Sequence, residues 1–320
     1  MTPKQTDLSG ATLSERYRLL ARIGIGGMGA VYRALDLESE TYVAIKVLTR
    51  ENAPSSTLYK RFRREMHALR QVHHPNLVEI FDDGETANHR LWFCMELVEG
   101  VTLTQYVHNA PISTDEIELI VRQILYALTA LHAEGLVHRD LKSGNIMVAS
   151  KEGGVEVKVL DLGIVAHTNP DPNRATLTAQ NTILGTPEYM APELIRTGTI
   201  DARGDLYALG ILTYQMATGT VPWHNKRAAP ILHAHVNKEV PDVNIFRDAP
   251  LPANLHTTMY ALLQKEPGAR PQDTAEALYL LDGGQLKRRP DRQRTIFLLL
   301  LAALLVTLAS IGAEALWSQL

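Results

Sequence analysis

The change of character at Gly100 constrains this chain most. Before it, short runs alternate between apolar and polar residues and are punctuated by glycine; after it, apolar residues recur at helical spacing. From Tyr17 to about Leu48 the pattern is strand-like, broken by Gly24, Gly26, Gly27 and Gly29. A helix over 57–73 interrupts it, with Phe62, Met66, Leu69 and Val72 on one face, and strand signals return at 77–82 and 91–98. Beyond Gly100, Ser113 with Glu116 three residues on reads as a capping box. Ile117, Ile120, Val121, Ile124, Leu128 and Leu131 form a stripe, and Gly135 fits a C-terminal cap. Val155, Val157 and Val159 alternate as a strand ending at Asp161. Leu206 to Ala217 is apolar nearly all round, which predicts a central buried helix, and shorter helices fit 228–237, 253–264 and 273–281. An α+β chain of two lobes is expected, strand-rich over about 17–98 and helical over about 101–281, behind a loose leader at 1–16.

With 320 residues, 45% of them hydrophobic, the chain can bury a sizeable core, and a net charge of -3 argues against a nucleic-acid surface. The single cysteine, Cys94, lies in the apolar run Leu91–Met95 and reads as a buried hydrophobe, which excludes an internal disulfide framework. Twelve histidines show no zinc spacing; His73-His74 and His233 with His235 come closest.

The run Thr295 to Ala313 carries no charge over 19 residues and would span roughly 28 Å as a helix, about the thickness of the bilayer core. Lys287, Arg288, Arg289, Arg292 and Arg294 precede it, in a basic linker over 282–294, and a short tail, 314–320, follows. This flank predicts a single-pass helix in the cell membrane with everything before residue 295 cytoplasmic, and the seven residues after it are expected to form a short extracytoplasmic tail rather than a sensor domain.

Three constellations carry chemistry. Ile23, Gly24, Ile25, Gly26, Gly27, Met28, Gly29, Ala30 and Val31 hold a G-x-G-x-x-G pattern, weak evidence alone. A strand-like segment follows rather than a helix, so the glycines sit at a hairpin tip, where backbone N–H groups can approach phosphates. In Val43-Ala44-Ile45-Lys46-Val47, alternation puts Ala44 and Lys46 on one face, room for a flat ring beside a cation. Glu65 falls on or near the buried face of the 57–73 helix, and a buried carboxylate needs a partner, for which Lys46 is the natural choice. Finally His138-Arg139-Asp140-Leu141-Lys142-Ser143-Gly144-Asn145 packs polar groups between apolar runs. Asp140 can act as general base, Lys142 can neutralise a phosphoryl group, and Asn145 with Asp161 can offer oxygen ligands to Mg2+. Ser143 and Gly144 have no assignable role.

With these motifs in this order, the sequence resembles the eukaryotic-type (Hanks-type) serine/threonine protein kinases, most of all their bacterial membrane-anchored branch, from about Tyr17 to Leu281. Asp161-Leu162-Gly163, Ala191-Pro192-Glu193, Asp205 and Arg270 also stand in family order. The resemblance implies a bilobal kinase fold using ATP and Mg2+ (Mn2+ can substitute) and acting on Ser and Thr of protein substrates. It implies that Lys46 holds the α- and β-phosphates and pairs with Glu65, Asp140 is the catalytic base, Lys142 contacts the γ-phosphate, and Asn145 and Asp161 hold the metal. Met95 would be the gatekeeper and Glu96 to Val98 the hinge to adenine. Glu193 and Arg270 would form a structural ion pair, Asp205 would brace the catalytic loop, and Gly185 to Glu188, with Thr186, would receive the substrate. Leu162 stands where the family usually has phenylalanine, which predicts looser packing against the Glu65 helix.

The segment 164–185 is polar and too long for an ordinary turn. By the resemblance, Arg139 receives a phosphate there, and Thr176 or Thr178, with Thr182 behind them, are the expected autophosphorylation sites. Two chains pairing in trans would serve that reaction. Alternatives are an ATP-binding pseudokinase acting as a membrane scaffold, and a small-molecule phosphotransferase on the same fold.

Overall fold

The computed structural model describes residues 7–26, 29–51, 57–161, 186–247 and 249–286. Six antiparallel strands form the first sheet: β1 (Thr12–Leu13), β2 (Tyr17–Gly26), β3 (Gly29–Asp36), β4 (Tyr42–Glu51), β5 (Ile80–Glu85) and β6 (Arg90–Glu96), in the order β1-β2-β3-β4-β6-β5. Helix α1 (Thr57–Leu69) crosses between β4 and β5. A second, three-stranded sheet holds β7 (Val101–Thr102), β8 (Ile146–Lys151) and β9 (Gly154–Val159). The helices that follow Gly100 are α2 (Leu103–Asn109), α3 (Thr114–Ala133), α4 (Pro192–Thr197), α5 (Ala202–Thr218), α6 (Ala228–Asn237), α7 (Ala253–Leu262) and α8 (Thr274–Leu281).

One compact unit ends at Gly284, and of the second, Gln285–Leu320, only Gln285 and Leu286 are described. No helix among the described residues is long and apolar enough to cross a membrane, and the span read at 295–313 lies outside them.

Alternation on β4 builds two cores at once. Val43, Ile45 and Val47 pack with Tyr17, Tyr32, Trp92 and Cys94 on one face, while Ala44 joins Phe62, Met66 and Met95 on the other. Burial pushes the Cys94 thiol up to about 12, so it stays protonated, as a small hydrophobe does. Trp92 decides a glycine: a Cβ on Gly84 would lie 2.5 Å from its ring.

Helix α3 starts where Ser113 Oγ accepts from Glu116 N–H, and ends at Gly135, whose φ is +69°. The reciprocal half of the expected capping box is absent, because Glu116 accepts from Tyr106 Oη at 2.5 Å instead. A complete box forms at α2, where Thr102 and Gln105 satisfy each other. Helix α5 is buried on nearly every side, from Gly204 to Ala217, and is the post around which the helical lobe packs.

Two expectations need correction. Residues 8–16 are not loose: β1 pairs with β2, Leu13 is buried, and Arg16 donates twice to Asp36, at 2.8 and 2.7 Å. That guanidinium holds the Asp36 carboxyl far below the usual carboxylate range. The strand read at 77–82 begins at Ile80 instead. Leu77 and Val78 are diverted to the other lobe, with Val78 N–H donating to Val159 O at 3.0 Å and Val159 N–H to Asn76 O at 2.9 Å. Their apolar side chains carry the core across the two lobes.

His235 gives the helical lobe an acid-sensitive point. It is fully buried on α6, its Nδ1 is 2.8 Å from Tyr207 Oη, and its ring meets Trp223 edge-on. Burial first, and then the Lys265 charge, lowers its pKa from 6.5 to about 3. The unfolded chain therefore binds a proton that the folded chain refuses, and stability falls as pH drops through 6.5 toward 3. In urea titrations the contribution is up to ~1.4 kcal/mol per pH unit. His235→Leu is expected to flatten that acid limb; an unchanged slope would exclude His235 as its source.

Candidate active site

The Asp140 loop is held from behind by one buried carboxylate. Asp205, in the first turn of α5, is 1% exposed. Its Oδ2 accepts from His138 N–H at 2.8 Å and lies 2.8 Å from His132 Nε2, while its Oδ1 accepts from Arg139 N–H at 2.8 Å. This grip fixes Arg139 at φ +67°, a conformation that non-glycine residues rarely hold without compensation. His138 is likewise buried and joins two functional segments. Its Nε2–H donates to Leu160 O at 2.9 Å, and its Nδ1 accepts from Asp140 N–H at 3.3 Å.

The loop then presents its polar atoms together. Asp140 Oδ2 lies 2.6 Å from Lys142 Nζ and 3.1 Å from Asn145 Nδ2, which also donates to Asp140 O at 2.8 Å. A single turn of 3-10 helix over Ser143–Asn145 makes the closeness possible. Leu160 N–H donates to Asn145 O at 2.7 Å, so the loop is tied to the end of β9 and to Asp161 just beyond it. Asp161 stands at φ +47°. Two residues in left-handed conformation, Arg139 and Asp161, therefore bracket the site.

Across from the loop, Lys46 on β4 is 9% exposed and its Nζ is 2.6 Å from Asp161 Oδ1. Glu65 is half-buried on α1, between Phe62 and Met66. The carboxylate shown against Lys46 is Asp161, which burial logic on the sequence does not single out. Beside Lys46, Ala44 pairs in register with Met95, and both are buried. Val31 packs on the same cluster, whereas Ala30 is buried with Tyr17 and Trp92 on the opposite face of the sheet. Ile23 and Ile25 are exposed on β2. The β2–β3 ladder closes at Gly26 and Gly29, and a Cβ on Gly29 would run into Val47 O. Gly24 and Gly26 meet no such obstacle; Gly27 and Met28 lie outside the described residues. At the strand end, Glu96 Oε2 is 2.7 Å from Lys158 Nζ on β9, and Val98 packs on the core.

The oxygen chemistry suits a hard cation. Both Asn145 Nδ2 bonds go to Asp140, which leaves Oδ1 as the atom available to a metal, and Asp161 supplies a carboxylate. Among the described residues no three His, Cys, Asp or Glu cluster as a metal cage. Such a sparse set fits Mg2+, which usually takes one or two carboxylates and completes its shell with water and substrate phosphates.

Farther out, Arg270 donates to Glu193 at 2.7 and 2.8 Å, joining α4 to the 264–270 loop. Thr186 immediately precedes a turn over Pro187–Tyr189, and Tyr189 Oη reaches Ser143 Oγ at 2.9 Å. Burial raises the Tyr189 pKa, so its hydroxyl keeps its proton. Gly185, Leu162, Gly163, Thr176, Thr178 and Thr182 lie outside the described residues. Ser143, Tyr189, His132 and Lys158 are the participants that sequence reasoning missed. Each meets its partner across a long stretch of chain, and no local pattern signals that.

Comparison with known proteins agrees with this geometry. Residues 17–279 match the protein kinase domain family. Serine/threonine-protein kinase pkn3 of Myxococcus xanthus is 37% identical over 279 residues, covering 86% of this chain and 51% of that protein. Serine/threonine-protein kinase PknB of Mycolicibacterium smegmatis is 37% identical over 268 residues, covering 82% of this chain and 42% of that one. The chain thus spans about half or less of the length of these curated relatives. Among solved structures, the Mycobacterium tuberculosis PknI kinase domain superimposes with a TM-score of 0.65 at 26% identity, covering 86% of this chain and 98% of that one.

Proposed function

We propose that this chain, which belongs to the protein kinase family, transfers the γ-phosphoryl group of ATP to serine and threonine hydroxyls of proteins. The observation that carries the reading is the convergence of Asp140, Lys142 and Asn145 on one loop, with the Lys46–Asp161 pair opposite. ATP is the substrate that would lie between Ala44, Met95 and the β2–β3 hairpin. Lys46 would hold its phosphates, and Asp140 would orient the accepting hydroxyl and draw off its proton. Lys142 would meet the negative charge of the moving phosphoryl group. Asn145 and Asp161 would hold Mg2+, which supplies charge neutralisation on the phosphates. The names of the relatives, both serine/threonine kinases, support serine and threonine as acceptors.

Activation by phosphorylation at Thr176 or Thr178 belongs to the same proposal. Its support is Arg139, whose Nε is buried without a hydrogen-bond partner among the described residues. Anchoring by 295–313, with the kinase domain on the cytoplasmic side, rests on the uncharged run and its basic flank.

One incubation tests the whole. The full chain, γ-labelled ATP and Mg2+ are mixed with casein, beside a chain lacking residues 290–320. Labelled phosphoserine or phosphothreonine that disappears with EDTA is the expected result, in both chains. Nucleotide binding without transfer would establish the scaffold alternative instead. Phosphosite mapping of the active product should find Thr176 or Thr178 modified, with Thr182 behind them; an active enzyme with all three bare refutes that route. A full chain that stays in the soluble fraction after lysis without detergent refutes the anchor.

A further inference from the structure

Ser143 had no role in the sequence, yet it is 4% exposed and its hydroxyl touches two others. Thr104 Oγ1, on α2, is 2.7 Å away, and Tyr189 Oη is 2.9 Å away. Tyr189 Oη in turn donates to Gln215 Oε1 on α5 at 2.7 Å.

Proton counting fixes the direction of this chain. A hydroxyl has one proton to give. Tyr189 spends its own on the Gln215 carbonyl oxygen, so its oxygen receives the Ser143 proton. Ser143 has then given its proton away, so its oxygen receives the Thr104 proton. The series Thr104 to Ser143 to Tyr189 to Gln215 runs one way and ends on an acceptor without leaving a hydroxyl proton unused.

The two ends of the Ser143–Tyr189 bond belong to different parts of the site. Ser143 begins the turn that locks Asn145 onto Asp140, through Asn145 N–H to Lys142 O at 2.9 Å and Nδ2 to Asp140. Tyr189 ends the turn that starts after Thr186. We propose that Ser143 is a positioning residue for the protein substrate, tying the Thr186–Tyr189 segment to the rigid unit that carries Asp140. The proposal rests on the kinase reading above and on that segment being where the acceptor protein docks. Packing alone would not require the hydroxyl; register between acceptor and base does.

The test is a double-mutant cycle in the full chain, with dephosphorylated casein and ATP varied separately. Ser143→Ala and Tyr189→Phe each remove the bond and leave most of the side-chain volume. Each is expected to raise KM for casein, or lower kcat/KM for it, by about five- to tenfold, the size of one lost hydrogen bond. KM for ATP should stay within about twofold in both, since a loss confined to the protein acceptor is what positioning predicts. The double variant should lose clearly less than the sum of the two single losses, because both substitutions delete the Ser143–Tyr189 bond while each removes one further bond of its own, to Thr104 or to Gln215. Equal losses toward ATP and casein, additive effects in the double variant, or unchanged kinetics in both single variants would each overturn the proposal. Should Ser143→Ala lose its cooperative melting transition, Tyr189→Phe carries the test with the same outcomes. A wild-type chain that labels nothing would remove the kinase reading itself, and this inference with it.

Discussion

Asp140→Asn is expected to lower kcat for phosphoryl transfer by about 10²- to 10⁴-fold, the range for losing a general base. The substitution keeps the shape of the side chain. Its amide can still accept from Asn145 Nδ2, which lies 3.1 Å from the present Oδ2. What disappears is the negative charge that faces Lys142 Nζ at 2.6 Å and that would hold the acceptor hydroxyl. Backbone ties that place residue 140 do not involve the carboxylate. Its N–H donates to His138 Nδ1, and the loop hangs from Asp205 through His138 and Arg139. The loop should therefore stay in place, and the loss should sit in kcat. KM for ATP should move little, because Lys46 and Asp161 are untouched. Steady-state rates with a fixed protein acceptor check this. Equal kcat for wild type and variant would end the claim that Asp140 does chemistry, and with it the enzymatic reading of the site.

The contact between Lys46 and Asp161 shows what sequence reasoning does not reach. Burial logic asks for an acid near Lys46 and names Glu65, on a face that has to be covered, and it says nothing of Asp161. The structure sets Asp161 against Lys46. Periodicity tells which face of an element is buried, but the meeting of β4 with the end of β9 depends on how the two lobes close. That closure is set by Leu77 and Val78, which look like the start of a strand and instead pair with Val159. Long, strongly patterned elements were legible for the opposite reason. The apolar stripe of α3, its Ser113 cap, the left-handed Gly135 and the all-round apolarity of α5 are local properties. Helix α2 escaped because seven residues hold too little periodicity to stand out. The residues of the catalytic loop were legible by type and spacing, whereas Ser143 gained meaning only from Thr104 and Tyr189, brought in by other elements.

Arg270→Ala is expected to destabilise the helical lobe by about 3–5 kcal/mol, the cost of orphaning a buried charge. The Arg270 side chain is fully buried and all five of its N–H groups are used. Two go to the Glu193 carboxylate, and the others to the carbonyls of Arg203, Gln264 and Lys265, at 2.9, 2.7 and 3.0 Å. The guanidinium also lies 4.8 Å from the centre of the Tyr207 ring. Alanine removes every one of these donors, and Glu193, only 15% exposed, keeps its charge but loses its two-pronged partner. Against a total stability of about 5–15 kcal/mol, such a loss brings the fold close to its limit. Urea denaturation should show a lower midpoint with little change in slope. Arg270→Lys should recover only part of the loss, since an ammonium cannot form the two-pronged contact or reach three carbonyls as well. Adding Glu193→Leu to Arg270→Met separates the causes. If the uncompensated carboxylate is what destabilises, the double variant should be more stable than Arg270→Met alone. If the three carbonyls dominate, removing Glu193 will bring no recovery, and the pair would then be a by-product of an arginine whose main work is to close the 264–270 loop.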